Sequence, residues 1–275
     1  MIEILFLGLI QGITEFLPIS SSAHLAFLQQ FLKLPYDPVS LLFLDVMLHS
    51  GTTLAVIIYF FKDWLYIIFK RRDLLLTIIV ANIPAGVLGI LLSKMDLLVT
   101  LRHPLLIVAF LMFGNAIMQW GEDTYFKYHT RGRNYLRDDV SFWDGITVGL
   151  FQAFALFPGV SRSGASVSAG FGLGLQRYVA LQFSFLLATP LILLGTAFEL
   201  YNYVTNYSDL LYVTAPNFVP PLFVFGGFIV AFVSGFFAIK YMLGYLVNNS
   251  FGIFIKYRIW FALFILGYYF YGLLK

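Results

Sequence analysis

Polar positions are the exception along this chain. Apolar residues dominate stretches of about twenty, the length that crosses a bilayer as a helix. They cover residues 41–61, 74–93, 104–120, 179–200, 220–243 and 252–273. The pattern predicts an all-α polytopic membrane protein with about six transmembrane helices. Two stretches, 1–32 and 142–175, do not fit it. Each is an apolar helix-length piece, then a break rich in Pro, Ser and Gly, then a second short apolar piece. Neither half is long enough to cross alone. A break at membrane depth survives only buried in protein or lining a cavity, because lipid satisfies no free backbone group. Both stretches are expected to be re-entrant helical hairpins.

The two odd stretches also match each other. "GLIQGITEFLPISSSA" (8–23) aligns without a gap on "GLFQAFALFPGVSRSG" (149–164). Gly8 falls on Gly149, Gln11 on Gln152, Phe16 on Phe157, Ser20 on Ser161 and Ser22 on Ser163. Each hairpin precedes three spans, an odd number, so the second repeat enters from the opposite face. The chain then reads as one integral membrane domain. Its inverted repeats cover approximately 1–120 and 142–275, joined by a cytoplasmic loop over 121–141. Lys70, Arg71 and Arg72, then Lys127, Arg131, Arg133 and Arg137, and finally Lys256 and Arg258 are expected on the cytoplasmic side. The loop 201–219, without Lys or Arg, is expected outside. Inverted repeats with broken helices place their site near the midplane.

Composition narrows the class further. Charged residues make up 11% of the chain and hydrophobic ones 60%, whereas a soluble domain is about 25% charged. The net charge of +3 is small, and no basic stretch interleaved with aromatics suggests nucleic acid as a partner. The bilayer is the expected partner; a homodimer is possible, and the sequence does not fix the oligomeric state. Without cysteine there is no disulfide, thiolate metal site or cysteine nucleophile. The first residues, with Glu3, Glu15 and no cationic start, do not read as a cleaved signal.

The first break lies in "QGITEFLPISSSAHL" (11–25). Gln11 and Glu15, four apart, share a helical face. An intramembrane acid is rare and usually paired; the plainer alternative is a glutamate reaching for water at a helix end. Ser20, Ser21 and Ser22 follow Pro18, and one helix cap uses only one hydroxyl. His24 comes three after Ser21, within reach on the same face. Alone it would read as a satisfied interior histidine; beside a serine and a glutamate it reads as functional. The second break holds "PGVSRSGAS" (158–166). Its Arg162 is the sharpest signal, since an arginine at the bilayer centre costs roughly 2.5–3.5 kcal/mol even on lenient insertion scales. Ser161, Ser163, Gly164 and Ser166 add hydroxyls and free amides at a helix start. Arginine, hydroxyls and a helix N-terminus together suit phosphate oxygens. Ser20, Ser22, Gln11 and Gln152 complete the candidate substrate-binding set. The alternative for Arg162 is a salt bridge to Glu15 bracing the hairpins, which leaves the serines unexplained.

These residues resemble the two signature motifs of the undecaprenyl-diphosphate phosphatases, also called the bacitracin-resistance family. Those motifs are an E/Q-x-x-x-E box running into serines and a histidine, and P-G-x-S-R-S-G-x-T. The likeness continues through "FLDVMLHSGTTLAV" (43–56), "NIPAGVLG" (82–89) and "RYVALQFSFLLATP" (177–190). It implies six spans, two inverted re-entrant hairpins, and an active site opening to the outer face of the plasma (inner) membrane. The implied activity is hydrolysis of a polyprenyl diphosphate to the monophosphate, recycling the carrier lipid of peptidoglycan synthesis and conferring bacitracin resistance. Carried onto this chain, Glu15 is the essential acid, Ser21 the nucleophile and His24 its acid/base partner. Arg162, with Ser161, Ser163 and Ser166, holds the diphosphate. Gln11 stands where the family often has Glu, which weakens a two-carboxylate metal site; Ser166 replaces the usual Thr and keeps the hydroxyl. The family is similar in needing Mg2+ or Ca2+, for which Glu15 would be the carboxylate ligand and diphosphate oxygens the complement.

Three classes of function are weighed. In phosphoryl transfer, Ser21 attacks while His24 or Glu15 takes its proton, and His24 as the nucleophile itself remains open at this level. A polyprenyl-phosphate transporter or flippase shares the inverted-repeat architecture but needs no nucleophile. The acid-phosphatase superfamily is discounted because its second histidine is missing after Arg162.

Overall fold

The computed structural model of the chain describes residues 1–95, 97–132, 136–207 and 219–274. Arg133 of the basic loop and residues 208–218 of the expected outer loop lie outside them. The helices are α1 (Ile2–Phe16), α2 (Ser21–Phe31), α3 (Pro38–Tyr59), α4 (Phe61–Lys70), α5 (Arg72–Ala81), α6 (Ile83–Lys94) and α7 (Leu97–Thr100). They continue as α8 (Pro104–Arg131), α9 (Phe142–Ala153), α10 (Arg162–Gly172), α11 (Arg177–Tyr207), α12 (Pro221–Leu246) and α13 (Gly252–Leu273). Among the described residues six helical stretches are long and apolar enough to cross a membrane: those in α3, α8, α11, α12 and α13, and α5 with α6 as one. They coincide with the six stretches read from the sequence. The protein is an all-α, multi-pass membrane protein.

Proline sets both breaks. Pro18 drives Leu17 out of the helical region to φ −70°, ψ 139°, as steric clash with the proline ring demands of the residue before it. After α9 comes a 3-10 turn, Phe154–Leu156, and then Pro158 leads into α10. With 15 and 11 residues in α1 and α2, and 12 and 11 in α9 and α10, each piece falls short of the roughly 20 residues that span hydrocarbon.

Small residues let these short helices pack on the spans. A Cβ on Gly8 would lie 2.5 Å from the carbonyl oxygen of Gly227, so α1 and α12 touch backbone to backbone. Gly149, which aligns with Gly8, presses in the same way on the backbone of Ala81 in α5. Helices in lipid gain little from the hydrophobic effect and associate through such close contacts. On the other side of the first break, Ala23, Ala26 and Phe27 of α2 pack on Ile107 and Leu111 of α8 and on Ala262 and Ile265 of α13. Each broken segment thereby rests on spans from the far half of the chain.

Two expectations are corrected. Residues 121–131, expected within a loop, extend α8, which ends only at Gly132 with φ +117°. Hydropathy marks where the chain leaves the bilayer, not where a helix stops, and no Gly or Pro interrupts residues 122–131. Arg258, expected at the cytoplasmic surface beside Lys256, is fully buried. Two residues along a helix turn the side chain through about 200°, so exposed Lys256 and Arg258 face opposite ways. Of the other charges in those loops, Arg71 and Arg137 both pair with acids of the segment 139–144. Arg71 joins Asp73 and Asp139, Arg137 joins Asp144, and Arg177 joins Glu122.

The glycine contacts give a test of packing. Gly8→Leu or Gly149→Leu should destabilise by about 1–3 kcal/mol or more, because overfilling a close-packed contact forces backbone shifts. Gly267→Leu, where an added Cβ meets nothing within 4 Å, should leave thermal stability in detergent unchanged. Equal melting of all three variants would contradict the packing.

Candidate active site

The two breaks meet. The Gly159 amide donates to Ser20 Oγ at 3.0 Å, and Ser163 Oγ donates to the Leu17 carbonyl at 3.3 Å. Ser20 and Ser161, the aligned pair, both have left-handed φ, 72° and 75°. Such geometry is uncommon for a residue with a side chain and is stored chiefly at functional sites. Ser161 also caps α10, its Oγ accepting from the Gly164 amide at 3.2 Å.

Glu15, at the end of α1, is the hub of the site and is buried. Its Oε1 accepts from Arg162 Nη2 at 2.8 Å. Its Oε2 accepts from Ser21 Oγ at 2.7 Å and from Gln11 Nε2 at 2.9 Å. His49 Nδ1 stands 3.0 Å from the same oxygen. The Arg162 guanidinium uses only Nη2; its Nε and Nη1 are buried without a partner, as is Gln11 Oε1. An unsatisfied buried donor costs about 1–3 kcal/mol, more when charged.

Glu15 and Arg162 lie at the polar head of a cavity of about 570 Å³. Ser20, Ser21, Ser22, Ser161 and Gln152 also line it, with Asn82 accepting from Gln152 Nε2 at 2.8 Å. Its walls are apolar, from Leu42 and Val46 of α3, Ile90 of α6, and Leu191, Ile192 and Phe198 of α11. The cavity therefore suits an anionic head on a greasy tail.

The remaining candidates stand apart from it. Ser166 Oγ donates to the Arg162 carbonyl at 2.7 Å and meets Ser184 Oγ at 2.6 Å, bracing α10 against α11. Ser163 and Gly164 serve the breaks as described. His24 is not brought to Ser21. Its Nδ1 lies 2.7 Å from the Ser20 carbonyl, its Nε2 lies 2.8 Å from Tyr257 Oη, and its ring stacks on Phe261 with centroids 4.1 Å apart. Spacing three along a helix allowed contact with Ser21, but the partners that α13 supplies turn the ring away.

His49 was not singled out from the sequence. The signal existed, since an ionisable residue inside an apolar span is a functional candidate by default. Among the described residues no group of three His, Asp or Glu side chains is arranged to hold a metal ion.

Similarity to other proteins follows the same residues. The family model described as bacitracin resistance protein BacA matches residues 4–264. The chain is 38% identical over 273 residues to an undecaprenyl-diphosphatase of Thermodesulfovibrio yellowstonii, covering 97% of this chain and 96% of the relative. It is 37% identical over 266 residues to an undecaprenyl-diphosphatase of Moorella thermoacetica, covering 94% of each. A Methylococcus capsulatus undecaprenyl-diphosphatase is 35% identical over 278 residues, covering 98% and 95%. With both break motifs inside the matched region, this chain belongs to the bacitracin resistance protein BacA family.

Proposed function

We propose that the chain is an undecaprenyl-diphosphate phosphatase, hydrolysing the lipid diphosphate to the monophosphate and phosphate. One observation carries this: Arg162, bonded to Glu15 through Nη2, stands at the head of an apolar-walled cavity, beside a serine hydroxyl bonded to the same carboxylate. The diphosphate sits against Arg162 and the start of α10, and the prenyl chain follows the apolar wall toward lipid. Ser21 Oγ attacks the terminal phosphorus while Glu15 takes its proton. The bridging oxygen leaves on the prenyl monophosphate, and Arg162 stabilises the equatorial oxygens. Water then attacks the phosphoserine, Glu15 handling the proton, and phosphate departs. His24 is left out of the proton path because both its ring nitrogens are engaged elsewhere. A flippase would have no use for the Ser21–Glu15 bond.

A divalent cation, Mg2+ or Ca2+, fits this site as a shared shell. Glu15, which lines the cavity, is the carboxylate this chain would give, with diphosphate oxygens and water completing the shell, as is usual for Mg2+. Such an ion would supply charge neutralisation on the phosphoryl oxygens.

The cavity opens to the outer face of the plasma membrane. It is lined by the first half of α3, by α6, and by the second half of α11. Those parts lie away from the end that carries Lys70, Arg71, Arg72 and Arg137, which the positive-inside rule puts in the cytoplasm. The aligned breaks and the packing of each on the opposite half support an inverted repeat of two re-entrant hairpins.

Phosphate release by purified protein in detergent from prenyl diphosphates tests the activity; no release above background would refute it. Arg162→Lys should lower kcat by about 10²-fold or more, because a point charge cannot reproduce the planar fork. Wild-type rates in that variant would reduce Arg162 to a counter-ion of Glu15. Ser21→Ala should abolish turnover and phosphoenzyme trapping, whereas Ser22→Ala should stay within a few-fold. Equal loss at both would remove Ser21 as nucleophile. Chelation should lower the rate and added Mg2+ or Ca2+ restore it; indifference to chelator would exclude the shared shell.

A further inference from the structure

Arg258 is a buried guanidinium with no carboxylate beside it among the described residues; its hydrogen-bond acceptors are backbone carbonyls. Nη1 donates to the Pro18 carbonyl at 3.2 Å and to the Val160 carbonyl at 3.1 Å. Nη2 donates to the Gly159 carbonyl at 2.6 Å and to the Leu111 carbonyl at 2.9 Å. Pro18 belongs to the first break, Gly159 and Val160 to the second. These three carbonyls lie where no helix provides an amide, and lipid provides none either. Space for the guanidinium is made by Gly114 of α8, where any Cβ would collide with Arg258 and with the Val160 carbonyl.

The next residues of α13 hold the same region. Tyr257 Oη meets His24 Nε2, and Phe261 stacks on the His24 ring, while Nδ1 of that ring holds the Ser20 carbonyl. Pro18 is three residues before Ser21, and Val160 is two before Arg162. One planar fork therefore spans the two strands of backbone that carry the nucleophile and the anion clamp.

We infer that Arg258 is a positioning residue, which sets the distance between Ser21 and Arg162 by tying the two breaks together, and that His24 with Tyr257 acts with it. The inference rests on the phosphatase reading for its kinetic consequence but not for its structural one. Misplacing reacting groups by about 1 Å can cost about 100-fold in rate.

The test uses the full-length protein in detergent, with Arg258→Lys and Arg258→Met. A lysine keeps the charge but cannot fork across two chains. In Arg258→Lys, kcat for phosphate release should fall at least about ten-fold with KM within about three-fold. Amide hydrogen exchange should rise in peptides covering residues 17–21 and 157–162, and stay unchanged in α3 and α12. Wild-type kcat, or unchanged exchange at the breaks, would overturn the assignment. So would unfolding of both variants, since Arg258 would then be a general structural residue. If the wild-type protein releases no phosphate, the activity falls, while the exchange result still decides whether Arg258 ties the breaks.

Discussion

A helix broken inside hydrocarbon leaves amides and carbonyls that lipid cannot take up, and the site is organised around that demand. The chain breaks twice, and each break answers part of the other's need. Ser20 takes the Gly159 amide, Ser163 gives to the Leu17 carbonyl, and Arg258 collects the carbonyls of Pro18, Gly159 and Val160. Satisfying the backbone and juxtaposing Ser21 with Arg162 are consequently one structural act. Neither break could hold its geometry without the other.

Charge follows from the same arrangement. Among the described residues the centre carries two guanidiniums, half-buried Arg162 and buried Arg258, against one carboxylate, Glu15. Carbonyl dipoles compensate Arg258, and Glu15 compensates Arg162 through one nitrogen only. What remains is an excess of positive charge beside the head of the cavity, with two Arg162 donors buried and unpartnered. In a medium of low dielectric an uncompensated charge is costly, which is the ground on which a diphosphate head is proposed there. The apolar walls of α3, α6 and α11 complete the match, since the tail of such a substrate needs no polar partner.

The scaffold keeps this centre in place with few specific contacts. Gly8 against Gly227 and Gly149 against Ala81 bring backbones close enough for van der Waals packing to act where hydrophobic burial contributes little. These glycines occupy equivalent places in the two broken segments. The ends of the molecule are held differently: Arg102 with Asp45 and Gln29 at one, and Arg177 with Glu122 at the other.

Much of this was legible in the residues themselves. Spans depend on each residue's own transfer from water to lipid, so hydropathy placed all six. Proline and glycine act on their own backbone, so both breaks were visible in "FLPISSSA" and "FPGVSRSG". A salt bridge from Arg162 to Glu15 stood only as the alternative to phosphate binding, yet the two lie 2.8 Å apart, since neither charge could be buried alone. The rest depended on partners far along the chain. His24 shares a helix with Ser21, but its direction is set by Tyr257, 233 residues away. His49 approaches Glu15 only because α3 packs beside α1. Arg258 looked like a loop charge next to Lys256, and α8 looked shorter than it is, because composition records neither the face of a helix nor its end. Local pattern determines where the chain is helical, broken or buried; only packing between the two halves determines which buried group touches which, since those contacts are chosen by shape and hydrogen-bond need across hundreds of residues.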